Sequence, residues 1–172
     1  MRRAFRLVKA RHASKAFSGE GARLYGGRWN KRGTALVYTS ESLALAALEQ
    51  FVHLGPEDAG FAFMFYPIDI PDEVSIEEIG REVLPSDWRE EPPPDSTKAL
   101  GSEWAQAMRT AVLCVPSIVV PSEHNYLPLK SHPSRVSTHQ DLQTRAVRFR
   151  PADVETLGGL WRPLFWGVAR SQ

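Results

Sequence analysis

The stretch TALVYTS at residues 34–40, followed by ESLALAALEQFVHL at residues 41–54, predicts a strand that leads directly into a helix. The first part is a short apolar run that ends in hydroxyl side chains, as is common where a strand gives way to a helix. The second part is rich in helix-forming residues and apolar on nearly every side, which is typical of a buried helix. The pair Gly55-Pro56 is expected to end that helix.

Two further strands are predicted, with a proline-rich loop between them. Residues 61–70, FAFMFYPIDI, are dense in aromatic and β-branched residues and predict a strand in which Pro67 marks a bulge or an edge. Residues 145–149, RAVRF, alternate between polar and apolar side chains and predict a last strand. Pro85 and the run EEPPPD at residues 90–95 exclude regular structure and predict a surface loop.

The segment after this loop predicts a helix and then a buried strand. Ser96 or Thr97 is expected to cap a helix that runs through Met108. Residues 111–120 are largely apolar and are expected to form one or two buried strands, divided by the Pro-Ser pair at 116–117.

These elements indicate an α+β protein, with mixed or antiparallel sheets and flanking helices. Strands and helices mix without a regular βαβ alternation, which disfavours a parallel α/β sheet. No internal repeat with a period of about 20 to 50 residues is present, so solenoids and propellers are excluded. A chain of 172 residues, of which 42% are apolar, is expected to form one domain, 1–172, with a sizeable core.

The charge balance argues against nucleic acid or a membrane surface as a partner. Lys plus Arg number 21 and Asp plus Glu number 20, so the net charge of +1 creates no field that attracts either. No apolar run approaches the roughly 20 residues of a membrane span, and the N-terminal residues MRRAFRLVKARH lack the apolar region of a secretion signal. The single cysteine, Cys114, is expected to be a buried thiol in a reducing compartment. We therefore expect a cytoplasmic protein.

The glycine-rich segment GARLYGGRWN, at residues 21–30, is the first cluster with chemical potential. Its glycines let the backbone bend tightly and approach a ligand, and the guanidinium of Arg28 is suited to holding a phosphate through two hydrogen bonds. The segment matches neither GxGxxG nor the Walker pattern of nucleotide-binding loops. By itself it therefore also fits an ordinary surface turn.

Two polar groups in apolar surroundings form the other candidates. Glu49 lies on the apolar helix, and because a carboxylate is costly to bury unpaired, it either pairs with a core arginine or lines a cleft. In PSIVVPSEHNYL, at residues 116–127, Ser117 and Asn125 interrupt an apolar run, either as strand-end capping groups or as parts of a site. Ser117 does not lie in a GxSxG motif, which disfavours a serine hydrolase.

The histidines predict no metal site. None of the five forms an HExxH motif, and none pairs with cysteines at ligand spacing. We therefore expect no metal.

The order of these short motifs resembles that of the RES family, which is named for its Arg, Glu and Ser signature. The matching motifs are Arg6, GGRWN at 26–30, YTS at 38–40, Glu49 in its apolar helix, the Pro-Ser pair at 116–117 and EHNYL at 123–127. The resemblance runs from about residue 5 to residue 133, and it leaves residues 150–172 as a C-terminal extension. One loop departs from the family pattern, because residues 128–131, PLKS, stand where Asn-Pro is common before His-Pro.

The resemblance implies a fold similar to that of ADP-ribosyltransferase toxins and an enzyme that acts on NAD. It implies a bacterial toxin that depletes NAD by cleaving the nicotinamide N-glycosidic bond, by hydrolysis or phosphorolysis. Some family members are linked instead to ADP-ribosylation of a cellular protein, which is the alternative activity. The implied partner is an Xre-type helix-turn-helix antitoxin.

The resemblance also implies site residues at the positions that match its motifs. Glu49 is expected to stabilise the positive charge that develops on the ribose as nicotinamide leaves, and Arg28 is expected to hold a phosphate. The expected catalytic residues are Arg28, Tyr38, Glu49 and Ser117. The expected substrate-binding residues are Arg6, Gly27, Trp29, Asn30, Ser40 and Asn125.

Overall fold

The computed structural model describes residues 1–55, 61–129 and 145–148. Within these residues the chain forms one seven-stranded sheet, with the spatial order β4-β5-β6-β2-β1-β3-β7. The strands are β1 (Arg2–Lys9), β2 (Thr39–Ser40), β3 (Ala62–Ile70), β4 (Ile76–Glu78), β5 (Val112–Pro116), β6 (His124–Pro128) and β7 (Arg145–Arg148). The helices are α1 (Glu20–Tyr25), α2 (Leu43–Phe51) and α3 (Asp95–Ala107), with 3₁₀ segments at Ala10–Lys15 and Arg81–Val83. The α+β prediction is confirmed.

The sheet is mixed. Strands β4 and β5 are parallel, and the remaining neighbours are antiparallel. The long pair β1 and β3 keeps one register from Arg2 opposite Ile70 to Lys9 opposite Phe63. The predicted strand over residues 61–70 is confirmed, but Pro67 marks no bulge in it, because it pairs in register with Phe5. The described part of β7 pairs only with residues 62–65, so Pro67 lies where the described residues leave one side of β3 open.

The strand predicted over residues 34–40 is much shorter in the structure. Only Thr39 and Ser40 pair as β2, with Phe5 on one side and with β6 on the other. The carbonyl of Tyr38 accepts a hydrogen bond of 2.7 Å from Nη1 of Arg6. Because a side chain takes the place of a neighbouring strand there, the ladder does not extend further toward the N-terminus.

The buried helix predicted after this strand is confirmed as α2. Ser42 is its N-cap, and its hydroxyl accepts a hydrogen bond of 3.0 Å from the backbone N–H of Leu45. The buried positions Leu45 and Ala46 hold the helix against the sheet. Glu49 follows one turn later, so the cap and the apolar face together set its direction.

Helix α3 begins two or three residues earlier than predicted. Its N-cap position is Pro94, whereas the hydroxyl of Ser96 donates to Asp87 and that of Thr97 donates to the carbonyl of Pro94. Strand β5 ends at Pro116, as predicted. No second strand forms among residues 117–123.

The core lies on both faces of the sheet. One cluster joins α3 to the glycine-rich segment and to strands β5 and β6: Trp29, Leu36, Trp104, Ala105, Leu113, Val115, Leu127 and Leu129. A second cluster comprises Ala4, Ile68, Ile70, Ala111, Val112, Cys114 and Tyr126. Along β5 and β6 the two clusters alternate residue by residue, as the two-residue period of a strand requires. Cys114 is buried there, as expected.

Among the described residues, no helix is long and apolar enough to cross a membrane.

Candidate active site

A cavity of about 950 Å³ lies where α2, the glycine-rich segment and the ends of β5 and β6 meet. This volume is at the upper end of the roughly 300–1,000 Å³ that is typical of small-molecule sites. Its lining includes Arg28, Tyr38, Glu49, Glu91 and Asn125. Groups of opposite charge therefore line one cavity.

Glu49 is held from one side by two neutral donors. Its Oε1 atom accepts hydrogen bonds of 2.8 Å from the Ser117 hydroxyl and of 2.8 Å from Nδ2 of Asn125. Asn125 is oriented in turn by Ser40, whose hydroxyl donates to its Oδ1 atom at 2.8 Å. Within the part of the chain that the structure describes, Oε2 of Glu49 accepts no hydrogen bond. One carboxylate oxygen thus fixes the side chain and the other is available to a ligand.

Ser117 is fully buried and does not line the cavity. Its oxygen accepts hydrogen bonds from the backbone N–H groups of Val119 (3.0 Å) and Val120 (3.1 Å) while its hydroxyl donates to Glu49. The serine therefore joins the turn after β5 to the carboxylate on α2. This geometry suits a group that positions Glu49 rather than one that contacts a substrate.

Arg28 is held by the proline-rich loop. Its Nη1 atom donates to the carbonyls of Trp88 (2.9 Å) and Glu90 (3.0 Å), and Nη2 donates to Oε2 of Glu91 at 2.7 Å. Burial lowers the pKa of Arg28 from its ordinary value, while the negative charges of Glu91 and Glu49 act in the opposite direction. Arg28 and Glu49 line the same cavity, so their opposite charges favour each other there.

The backbone next to Arg28 is fixed by Tyr38 and Asn30. The Tyr38 hydroxyl accepts from the backbone N–H of Trp29 at 3.0 Å and donates to Oδ1 of Asn30 at 2.7 Å. At Gly27, a Cβ atom would lie 2.6 Å from this hydroxyl, so the turn closes this tightly only with glycine. Burial raises the pKa of Tyr38, so the phenol remains a neutral donor.

Asn30 and Trp29 were expected to bind the substrate, but both side chains are almost completely buried. The Asn30 side chain is fully buried, does not line the cavity, and donates from Nδ2 to the carbonyls of Ala22, Lys31 and Thr34. Trp29 contributes to the cavity wall but packs mainly in the α3 core, with 2% of its surface exposed. These two residues shape the turn that presents Arg28.

Arg6 lines the cavity from β1 and is also a structural donor. Besides the Tyr38 carbonyl, it donates from Nε to the carbonyl of Ala16 at 3.3 Å. Burial lowers its pKa to about 10. Its charge is thus compensated mainly by backbone oxygens.

The structure brings most of the predicted residues together. Ten were expected in the site, and two of them, Asn30 and Ser117, are absent from the cavity wall. The eight that line the cavity are Arg6, Gly27, Arg28, Trp29, Tyr38, Ser40, Glu49 and Asn125.

Several cavity residues were not anticipated. Glu91 lies in a loop that the sequence marked only as irregular, and no local signal relates it to Arg28. His53 follows Glu49 by four residues, so helical spacing was a signal that places it on the same face. The remaining unanticipated polar residues on the wall include Lys9, Arg11, His12, Lys15 and Gln50.

The arrangement has the chemistry for a substrate that is anionic at one end and develops positive charge at the other. Arg28 offers a charged, planar donor group, and the basic residues of β1 and the following 3₁₀ segment add positive charge to the wall. Glu49 offers a fixed carboxylate that favours a developing cation.

Comparison with known proteins agrees with this architecture. A family model described as "RES domain" matches residues 3–151. A protein named "Toxin Res" from Photorhabdus laumondii is 40% identical over 123 residues, which cover 72% of this chain and 78% of the relative. A second "Toxin Res", from Yersinia enterocolitica, is 34% identical over 147 residues, or 86% of this chain and 96% of the relative.

A differently named relative is more similar in sequence. The "Prs ADP-ribosylating toxin" of Sphingobium sp. is 45% identical over 133 residues, which cover 76% of this chain and 80% of the relative. Among solved structures, the M. tuberculosis MbcT-MbcA toxin-antitoxin complex contains a chain with the same fold. That chain aligns with a TM-score of 0.64 at 22% identity, over 92% of this chain and 89% of its own length. The resemblance seen in the short motifs is therefore confirmed, and the chain belongs to the RES domain family.

Proposed function

We propose that this chain is a toxin that consumes NAD by cleaving the bond between nicotinamide and ribose. The observation that carries the proposal is that Arg28 and Glu49 line the same cavity, with Glu49 held through its Oε1 atom. The proposal is supported by relatives that are named toxins, one of them an ADP-ribosylating toxin.

Each charged residue binds the part of NAD that carries or develops the opposite charge. The pyrophosphate lies at Arg28, since the guanidinium fork matches phosphate oxygens and remains charged. The nicotinamide ribose lies at Glu49, where Oε2 holds a ribose hydroxyl and stabilises the oxocarbenium-like transition state. Ser117 and Asn125 keep this carboxylate in place, and Ser40 does so through Asn125. Tyr38 holds the backbone N–H next to Arg28.

The acceptor decides which product forms. Water gives ADP-ribose, inorganic phosphate gives ADP-ribose 1-phosphate, and a nucleophilic side chain gives a modified protein. The relative named as an ADP-ribosylating toxin favours protein modification as the second candidate function. Each route breaks the same bond, so each requires Glu49.

We further propose that the partner is an antitoxin protein of the Xre helix-turn-helix type. The structural neighbour is a toxin that was solved with its antitoxin, which supports a partner of this general kind. Some cavity-lining residues remain exposed, among them Leu24 and Tyr25 with 47% and 76% of their surfaces accessible, and a protein partner would cover them. Co-expression with the product of the adjacent gene tests this proposal through rescue of growth and co-purification.

The activity is tested with purified protein and NAD, with and without inorganic phosphate. Mass spectrometry identifies the product, and nicotinamide release gives the rate. We expect Glu49→Gln to lower kcat by at least about 100-fold, and Arg28→Ala to lower kcat/KM by a similar factor.

The matched control is Glu103→Gln, which removes an exposed carboxylate from α3 that does not line the cavity. This variant should retain the full rate. Loss of NAD that proceeds equally in Glu49→Gln and in the unchanged chain would refute the proposed role of Glu49.

A further inference from the structure

Three metal-ligating side chains from three neighbouring strands meet away from the NAD cavity. Glu78 lies on β4, Cys114 on β5 and His124 on β6, and one ligand atom of each lies within 4.8 Å of the others. Carboxylate, thiolate and imidazole are the ligand types that bind Zn²⁺ in proteins. The sequence does not reveal this set, because 36 and 10 residues separate its members along the chain.

Sheet register places the three side chains on one face. Glu78 is directly opposite Cys114, and His124 is opposite Pro116, which lies two residues after Cys114. Successive residues of a strand point to opposite faces, so Cys114 and Pro116 share a face and their partners share it too. Asn125, which follows His124, points the other way and contacts Glu49. The cluster and the proposed NAD site are therefore on opposite faces of the sheet.

His124 makes a hydrogen bond of the kind that orients metal-binding histidines. Its Nδ1 atom lies 2.9 Å from Oε2 of Glu41, and the same oxygen accepts from the His124 backbone N–H at 2.8 Å. A carboxylate on one ring nitrogen fixes the imidazole and raises the basicity of the other nitrogen, Nε2. Glu41 thus fixes the imidazole of His124 and leaves Nε2 as the nitrogen that can bind a metal.

We propose that Glu78, Cys114 and His124 form a zinc-binding site, with a fourth position for water. In a tetrahedral zinc site the ligand atoms are about 3–4 Å apart, so the three groups need to approach by about 1 Å. Glu78 and His124 are partly exposed and supply this movement, whereas Cys114 is buried and fixed. The thiol proton is released to solvent as the zinc–sulfur bond forms.

One local interaction competes with the ion. Nη1 of Arg2 lies 4.0 Å from Oε2 of Glu78, with about half of each side chain exposed. Exposed pairs of this kind contribute little to stability, so Zn²⁺ is able to displace the guanidinium.

The test uses the full chain without an affinity tag, freed of metal by a chelator that is then removed. Co²⁺ is added first, because a cobalt–thiolate bond gives a charge-transfer band in the near ultraviolet. The chain has a single cysteine, so this band reports Cys114 alone. We expect the band to saturate at one equivalent and to disappear when Zn²⁺ is added. Zn²⁺ at 100 μM is expected to raise Tm by at least about 5 °C.

Variants separate this site from zinc bound elsewhere. Cys114→Ser and His124→Gln should each weaken Zn²⁺ binding at least about tenfold, measured by competition with a chromophoric chelator. Glu77→Gln is the matched control, since Glu77 adjoins Glu78, points to the other face and pairs with Arg109. It should bind zinc unchanged. His124→Gln changes a partly exposed side chain and keeps the test valid if Cys114→Ser folds poorly.

Absence of a cobalt–thiolate band would overturn the proposal. So would Zn²⁺ affinity that survives in the His124→Gln variant, because the metal would then lie elsewhere. These results concern only the reverse face of the sheet and leave the NAD assay as a separate test.

Discussion

Nη2 of Arg28 lies 2.7 Å from Oε2 of Glu91, so the guanidinium that we assign to the substrate pyrophosphate is already paired with a carboxylate on the cavity wall. Only 10% of the Arg28 side chain is exposed, against 32% for Glu91. A phosphate that approaches Arg28 therefore meets a negative charge next to its own binding group.

Replacing Glu91 by glutamine should strengthen NAD binding. The substitution keeps the shape of the side chain and removes its repulsion of phosphate. We expect KM for NAD to fall about three- to tenfold, with kcat changed by less than twofold. Glu90→Gln is the control, because only its backbone carbonyl contacts Arg28. A rise in KM would instead indicate that Glu91 orients Arg28 for substrate binding.

The hydrogen bond from Asn125 to Glu49 should depend on a donor and not on side-chain shape. Asn125→Asp is nearly isosteric but places a second carboxylate beside Oε1 of Glu49, whereas Asn125→Ala removes the donor to Glu49 and the acceptor of Ser40 without adding a charge. We expect kcat to fall about tenfold in the alanine variant and further in the aspartate variant, with KM little changed. If Asn125 served only for packing, aspartate would be the better tolerated substitution.

Ser117→Ala should affect both stability and rate. The backbone N–H groups of Val119 and Val120 would lose their acceptor, and Glu49 would lose one of its two donors. We expect the free energy of unfolding to fall by about 1–3 kcal/mol in urea titrations. We also expect kcat to fall about tenfold at a temperature where the variant remains folded. An unchanged kcat in the folded variant would show that Asn125 alone suffices to position Glu49.

Gly101 allows α3 to pack against the turn that carries Arg28. A Cβ atom at this position would lie 1.9 Å from the carbonyl oxygen of Trp29, and neither backbone is free to yield. Gly101→Ala should therefore lower the free energy of unfolding by about 2–4 kcal/mol and reduce the NAD-cleaving rate. Gly21→Ala is the control, since nothing lies within 4 Å of the added atom. It should be neutral or stabilising by up to about 1 kcal/mol in helix α1.

Cys114 should resist alkylation in the folded chain. Desolvation, together with the charge of Glu78, raises the pKa of its thiol to about 12, so almost no reactive thiolate is present at pH 8. With a chelator present, iodoacetamide should label Cys114 in urea and leave it unlabelled in buffer, as measured by intact mass. Rapid labelling of the folded chain would contradict the burial of this thiol.

The raised pKa of the Cys114 thiol also predicts how the stability of the protein changes at high pH. A raised pKa means that the folded state holds the proton more strongly than the unfolded chain, whose thiol titrates near 9.0. The stabilisation of the folded state that results is fully present below pH 9 and is lost as the pH rises toward 12. Stability should therefore decline less steeply above pH 9 in Cys114→Ser than in the unchanged chain.

Local sequence determined the helices and strands whose sequence signals lie within a few residues of one another. The apolar segment around Glu49 is a buried helix because its cap and helix-forming residues are contiguous, and residues 61–70 pair as a strand because their β-branched and aromatic side chains suit a sheet. The two glycines before Arg28 predicted a tight turn, and Gly27 is required there by its contact with Tyr38. The family motifs added the expectation that Arg28 and Glu49 act together.

Tertiary structure alone decided the contacts across the sheet. β2 is only two residues long because Arg6, from another strand, takes the Tyr38 carbonyl, and no pattern in residues 34–40 reveals that competitor. The pairing of β2 with β6 brings Asn125 to Ser40 and Glu49, and the parallel pairing of β4 with β5 brings Glu78 to Cys114. Strand order and register depend on free-energy differences summed over the whole sheet. A short window of sequence therefore determines the helix that carries Glu49, but it does not determine which residues surround the carboxylate of Glu49.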